Sequence, residues 1–533
     1  MPGRSIDRRW NGLPHPRAIS KLFWSLGHSV FYEISDFEPR WVFAAAITTA
    51  FVVIAGFQTF HHVMWLDEWQ AWLLAKDSQS VAGVLRNLRY ETHPPLWHLC
   101  LYFISRVTGD FRAMQAFHVA IAAAGVFVVA LRSPLSRLQV VLYAFGFLVI
   151  YEYCVVSRCY GLGFLLMLLA VAMFRRGPGR LGYYLLLALM AQVDAFAMVV
   201  ALALAAADLT RMTRATVSGL SSARARPAIV AVGLLVLAIS CLACCLKVIP
   251  VADSSYPNTH GAHDPLATLG SLYCAWAPIP HFGPHFWSTN IVDGYWFSTL
   301  VESAYSLVLF AIALTMLSTS REAITLLVVG CAGIMIEVYL SRQQAFRHTG
   351  HFFMVLIAAY WIAEEAGKSS DRHARSRRRF LTFLLILQII PTLWAFHMER
   401  TLPFSDSKKA AEFIKANLPA DIPVVMANDM SGPALSGYLG RPVYYESRQA
   451  FGTYLMWDSR RRDEFDPFAE LIDFQSKYKC DVIFSMAPHR LQGDSLHAPP
   501  QLHLTILKEF DQTIDFRDQY ELSLAKYVPE NGR

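Results

Sequence analysis

Asp67 and Glu68 stand side by side in Met64-Trp-Leu-Asp-Glu-Trp69, directly after the first long apolar run, and Glu91 and His93 follow in Tyr90-Glu-Thr-His-Pro-Pro-Leu-Trp97. Ionisable groups held at a membrane surface are costly, so this cluster marks a place for proton transfer or charge recognition. Neighbouring side chains on a helix diverge by about 100°, so only one of the two adjacent carboxylates can enter a shared cavity. Asp67 is expected there, with Glu68 supporting it. The structural alternative is a pair of solvated interfacial carboxylates, or a cap on an amphipathic stretch over 67–88. Pro94 and Pro95 fix their own φ and restrict His93, which predicts a rigid turn opening a helix.

Further polar residues interrupt later apolar runs. Arg158 and Tyr160 lie in Ser157-Arg-Cys-Tyr160, Asp194 between two apolar stretches, and Arg342, Arg347 and His348 before another. A single arginine at such a position can simply snorkel to lipid headgroups. Arg347 flanked by His348 and near Arg342 reads better as part of an anion site. Asp194 is either a polar contact between helices or a cavity residue.

These residues must be positioned by membrane helices. Hydrophobic residues make up 54% of the 533 and charged residues 17%, with the apolar residues gathered into runs. That is the composition of a polytopic helical membrane protein. Arg4, Arg8, Arg9, Arg17 and Lys21 precede the first run, which is expected to be a retained anchor following a cytoplasmic segment 1–40. The run 94–108 is too short to cross: about 15 residues at about 1.5 Å each reach about 22 Å, against a hydrocarbon core of about 30 Å. Treated as an interfacial helix in the first outer loop, it leaves about 11 transmembrane helices and puts the basic loops on the cytoplasmic side with the N-terminus. Asp67, Glu68, Glu91, His93, Arg158, Tyr160, Asp194, Arg342, Arg347 and His348 then all fall on the outer face. The net charge of +6 reports this topology and no nucleic-acid surface. The cysteines, mostly in apolar runs, show no disulfide framework or zinc spacing.

The transmembrane part is expected over 41–398 and an extracytoplasmic domain over 399–533. Residues 406–417 have helical spacing, while Pro423-Val-Val-Met, Pro442-Val-Tyr-Tyr and Cys480-Asp-Val-Ile-Phe read as short buried strands, giving a small C-terminal α/β domain. The outer segment 250–298 is rich in proline, histidine and aromatic residues.

The acidic pair after the first span, the Pro-Pro-Leu segment, Ser-Arg-x-Tyr and Arg-His before a late span together resemble the C-type (GT-C) glycosyltransferase superfamily. Within it the chain is most similar to the bacterial protein mannosyltransferase, aminoarabinose transferase and Rgt-like group, over roughly residues 41–365. The resemblance implies a multi-pass inner-membrane enzyme that transfers a hexosyl or pentosyl group, with inversion, from a polyprenyl-phosphate-linked donor to an extracytoplasmic glycan, lipid or protein. It gives Asp67 the part of general base, with Glu68 beside it. It implies that His93, Arg158 and Tyr160 belong to the site and that Arg347 and His348 lie near the lipid phosphate; Glu91, Asp194 and Arg342, on the same outer face, are expected to bind substrate with them. Reduced solvation at the membrane is expected to raise the proton affinity of Asp67. No cofactor is implied, and a divalent metal is doubtful because Ser157-Arg-Cys-Tyr160 stands where oligosaccharyltransferases carry Asp-x-Asp. Two other functions share the composition: a flippase for a lipid-linked sugar, against which the missing internal repeat counts, and a non-catalytic envelope-assembly subunit, which would tolerate loss of Asp67.

Overall fold

A computed structural model describes residues 40–174, 181–217, 227–255, 263–366, 373–488, 499 and 502–529. The segment 1–39 and the basic residues Arg175, Arg176, Arg180, Arg224, Arg226 and Lys368 used in reading topology lie outside the described residues.

Among the described residues, eight helices are long and apolar enough to cross a membrane: Arg40–His61, Arg112–Arg132, Arg137–Val155, Ala195–Arg214, Pro227–Val248, Ser298–Leu317, Arg321–Ser341 and Ala374–Thr401. Tyr160–Phe174, Leu181–Met190 and His351–Ala366, also expected to span, are shorter helices. This is a multi-pass helical membrane protein. Val232, Leu235, Ile239, Leu242 and Leu246 form an exposed stripe along Pro227–Val248, a surface suited to hydrocarbon and unfavourable in water. Leu96–Val107, at 12 residues, is the short helix anticipated after Pro94-Pro95.

One local reading is corrected. The stretch 67–88 is not one helix but Leu66–Asp77 and Val81–Asn87, because Ser80 caps a new N-terminus by accepting from Gly83 N–H at 3.1 Å. The span Arg137–Val155 changes from an α-helix, Arg137–Ala144, to a π-helix, Leu148–Val155. The last span begins at Ala374, and Arg377 in its first turn is buried in an ion pair with Glu364 at 2.7 Å.

The C-terminal domain holds a six-stranded sheet of order β3-β2-β1-β4-β6-β5, the strands being β1 Val424–Met426, β2 Val443–Tyr445, β3 Ala450–Gly452, β4 Val482–Met486, β5 His503–Phe510 and β6 Tyr520–Lys526. Strands β1, β2 and β4 are parallel and β3, β5 and β6 are antiparallel additions. Strand periodicity sends Val424 and Met426 to one core with Ala410, Ile414 and Leu435 of helices Ser407–Asn417 and Gly432–Leu439. Val425 and Phe484 pack on the other face against Phe468, Leu471 and Phe474 of helix Pro467–Tyr478. Burial on both faces is what makes the central strands continuously apolar in sequence.

The domain sits on the first loop. Tyr438 Oη accepts from Met64 N–H at 2.9 Å, the Asp518 carboxylate from Leu66 N–H at 3.1 Å, and Gln70 exchanges hydrogen bonds with the main chain of Leu455 at 2.7 and 2.9 Å. Trp69 packs on Tyr438 with ring centres 4.9 Å apart.

Candidate active site

Asp67 lies in the first turn of Leu66–Asp77, whose N-terminus is held from two sides. Glu68 Oε2 accepts from Trp65 N–H at 3.1 Å, and Asp518, from the C-terminal domain, accepts from Leu66 N–H at 3.1 Å. The 100° between consecutive residues turns the two carboxylates apart. Asp67 enters a cavity of about 840 Å³. Glu68 points away from it and is fully buried.

Glu68 thus acts on the Asp67 helix from behind and not at the reaction centre. Its Oε1 accepts from Ser157 N–H at 2.6 Å, two residues past the π-helix, and its Oε2 faces His62 Nε2 at 3.0 Å. His62 Nδ1 faces Glu399 Oε1 at 2.8 Å, and Glu399 also accepts from Tyr151 Oη at 2.7 Å and Gln58 Nε2 at 3.0 Å. Burial lowers the proton affinity of His62, but Glu399 and Glu68 outweigh it and raise its pKa to about 10. An imidazolium between two carboxylates thus ties the first span, the last span and the loop carrying Arg158 behind the Asp67 helix.

The other anticipated residues, Glu91, His93, Arg158, Tyr160, Asp194, Arg342, Arg347 and His348, all line the same cavity as Asp67. Arg158 donates Nη1–H to the Asp67 carbonyl at 2.8 Å and sets Nη2 3.4 Å from its carboxylate. Arg347 Nη2 lies 4.0 Å from the same carboxylate oxygen, its guanidinium 5.4 Å from the ring centres of both Trp65 and Trp287. Tyr160 Oη is hydrogen-bonded to His348 Nε2 at 2.9 Å. Asp194 caps the helix that starts at Ala195 by accepting from Ala197 N–H at 2.9 Å, with His351 Nε2 at 3.5 Å. His93 Nδ1–H donates to the Glu91 carbonyl at 2.6 Å, and Gln70 Nε2–H to the Glu91 carboxyl at 2.7 Å. Arg342 lies further along the wall, beside His263 at 3.2 Å.

The electrostatics of Asp67 differ from expectation. Burial pushes its carboxyl up, but Arg158, Arg347 and Arg517 together outweigh it and hold the pKa below the ordinary carboxylate value. Glu91, facing fewer cations, is raised by burial to about 7. Burial and then Arg158 lower His93, so it is neutral at pH 7, and burial with Arg347 lowers His348 further. Within the described residues the Nε–H groups of Arg158 and Arg347 are buried and have no hydrogen-bond acceptor. Buried guanidinium donors left open in a cavity are suited to an anionic ligand.

No family model matches the chain, and no curated protein matches it. The solved structures similar to it include two of ArnT from Cupriavidus metallidurans. The apo form has a TM-score of 0.47 at 11% identity, covering 90% of this chain and 98% of that one. The form bound to undecaprenyl phosphate has a TM-score of 0.48 at 11% identity, covering 91% and 97%. Neither likeness reaches the individual residues of the cavity.

Several wall residues carry no signal in the sequence: Gln70, His98, Glu337, Trp457 and Arg517. Gln70 follows Asp67 by three residues on the same helix, so helical spacing is the one signal that reaches it, while His98 lies on the helix after Pro94-Pro95. Arg517 and Trp457 come from the C-terminal domain and reach the cavity only through its docking. The described residues contain no group of three or more His, Cys, Asp or Glu arranged to hold a metal ion.

Proposed function

We propose that this chain is a membrane glycosyltransferase that moves a sugar from a polyprenyl-phosphate donor to a hydroxyl-bearing acceptor on the extracytoplasmic face, with inversion and with Asp67 as general base. One observation carries the reading: Asp67 is a cavity carboxylate facing Arg158 and Arg347 at 3.4 and 4.0 Å, which sets a base beside an anion site in one cavity. The likeness of the sequence pattern to the C-type glycosyltransferases supplies the donor class.

In the reaction, the acceptor O–H bond breaks and its proton passes to the Asp67 carboxylate as the oxygen bonds to the anomeric carbon. The bond from that carbon to the phosphate oxygen breaks, and its electron pair leaves with the phosphate. The polyprenyl phosphate gains charge in this step, so guanidinium stabilisation matters more than protonation. Arg158 and Arg347, with their buried Nε–H donors, provide it. His93 and His348, both uncharged at pH 7, and Tyr160 offer hydrogen bonds to sugar hydroxyls, while Glu91, Asp194 and Arg342 line the remaining wall. Holding donor and acceptor in line supplies a further large part of the rate.

The depressed proton affinity of Asp67 belongs to the cavity without an anion. A phosphate seated on Arg158 and Arg347 takes over as their counter-ion, and Asp67 regains basicity when the acceptor must be deprotonated. The test is sugar transfer by purified protein from a polyprenyl-phosphate sugar to a panel of glycan, lipid and peptide acceptors. Transfer with inverted anomeric configuration supports the reading. Binding of the donor with no transfer to any acceptor class counts against it.

A further inference from the structure

The β5–β6 hairpin is more than a structural edge of the C-terminal sheet. Its connection is fixed to the segment that leaves the last span by main-chain hydrogen bonds: Ile514 N–H to the Pro403 carbonyl at 3.0 Å, Asp515 N–H to that of Phe404 at 3.0 Å, and Asp406 N–H to the carbonyl of Asp518 at 3.1 Å. Its tip does two things at once. The Asp518 carboxylate accepts from Leu66 N–H, holding the helix that presents Asp67, while Arg517 lines the cavity.

Arg517 is preorganised there. Asp515 holds its Nε and Nη2 through two hydrogen bonds of 2.9 Å. The guanidinium lies 4.9 Å from the Trp65 ring centre and 5.6 Å from that of Trp287, the same two indoles that flank Arg347. Its side chain keeps 39% of its surface, so it still has donor capacity beyond the Asp515 fork. Three guanidiniums, Arg158, Arg347 and Arg517, thus act together on Asp67, a convergence of cations suited to a phosphate whose charge grows as it departs.

We propose that Arg517 is a third phosphate-contacting residue of the donor site, so that the C-terminal domain forms part of the lipid-phosphate site. This rests on the glycosyltransferase reading above. The domain is then a required component of the active site, with the hairpin tip coupling Asp67 helix placement to phosphate capture.

The test compares full-length wild-type, Arg517→Gln and Arg517→Lys proteins in lipid nanodiscs, titrated with undecaprenyl phosphate and with undecaprenol, its uncharged counterpart, and followed by tryptophan fluorescence. Losing a charge-assisted contact is expected to weaken undecaprenyl phosphate binding about 10- to 100-fold while leaving undecaprenol affinity unchanged, and Arg517→Lys should recover part of the loss. Equal undecaprenyl phosphate affinity in wild type and Arg517→Gln overturns the proposal and leaves the glycosyltransferase reading intact. Equal loss of affinity for both lipids, or a drop in melting temperature in both variants, shows a structural residue and also overturns it. Wild-type protein that does not bind undecaprenyl phosphate overturns the parent reading and this proposal together.

Discussion

Arg158 grips Asp67 at two points, donating to its main-chain carbonyl at 2.8 Å and setting a second nitrogen 3.4 Å from its carboxylate. The fork fixes the rotamer of the base and opposes its protonation. Arg158→Lys keeps the charge but not the two-point geometry, and its kcat is expected to fall roughly 10- to 100-fold. Arg158→Gln removes the largest influence that lowers the Asp67 pKa, so the acid limb of its kcat/KM profile should move to higher pH. An unmoved limb would show that Arg158 does not tune Asp67.

Glu91 titrates near neutrality because burial raises it to about 7. Between its ordinary value and about 7 the folded protein holds a proton that the unfolded chain has lost. Its contribution to stability therefore falls as pH rises through that window. Glu91→Gln is expected to flatten the melting temperature across pH 5 to 8 relative to wild type, and to remove any inflection near pH 7 in substrate affinity. Matching melting-temperature profiles for the two proteins would refute this.

His62, held between Glu68 and Glu399, has its folded pKa raised to about 10. Its stabilising effect is fully present below the unfolded imidazole value near 6.5 and is lost as pH rises through about 10. His62→Gln leaves two buried carboxylates without their cation and is expected to cost about 3–5 kcal/mol in thermal or denaturant unfolding. Glu68→Gln should lower stability and kcat together without shifting the pH profile of transfer, as befits a group that places the Asp67 and Arg158 loops.

Gly437 faces Trp69, and a Cβ built there overlaps the indole ring. Gly437→Ala is expected to loosen the C-terminal domain from the first loop, at a cost of about 1–3 kcal/mol. Proteolysis should then release the domain faster while its own sheet stays intact. Unchanged proteolysis would show that the contact does not hold the two parts together.

Much of this arrangement is legible in the sequence because membrane burial makes polar residues conspicuous. Asp67, Glu91, His93, Arg158, Tyr160, Asp194, Arg342, Arg347 and His348 interrupt apolar runs, and all line one cavity. Helical spacing separates Asp67 from Glu68, but the partner of Glu68, His62, is not legible from adjacency. Burial alone predicts a strong base at Asp67, whereas the guanidiniums that oppose it come from distant segments. Strands β1, β2 and β4 announce themselves as apolar runs. Strands β3, β5 and β6 do not, since β5 is largely exposed on the sheet edge and reads as polar. Arg517 is invisible for the same reason: Asp515-Phe-Arg-Asp518 looks like any hairpin turn until the domain docks.

The central claim is that Asp67 removes the acceptor proton. Asp67→Asn preserves shape and the Arg158 hydrogen bond to the main-chain carbonyl, yet abolishes the base. With membrane insertion, melting temperature and donor binding like wild type, its rate of sugar transfer from a polyprenyl-phosphate donor is expected to drop about 100- to 10,000-fold. Transfer by Asp67→Asn within a few-fold of wild type would contradict the account.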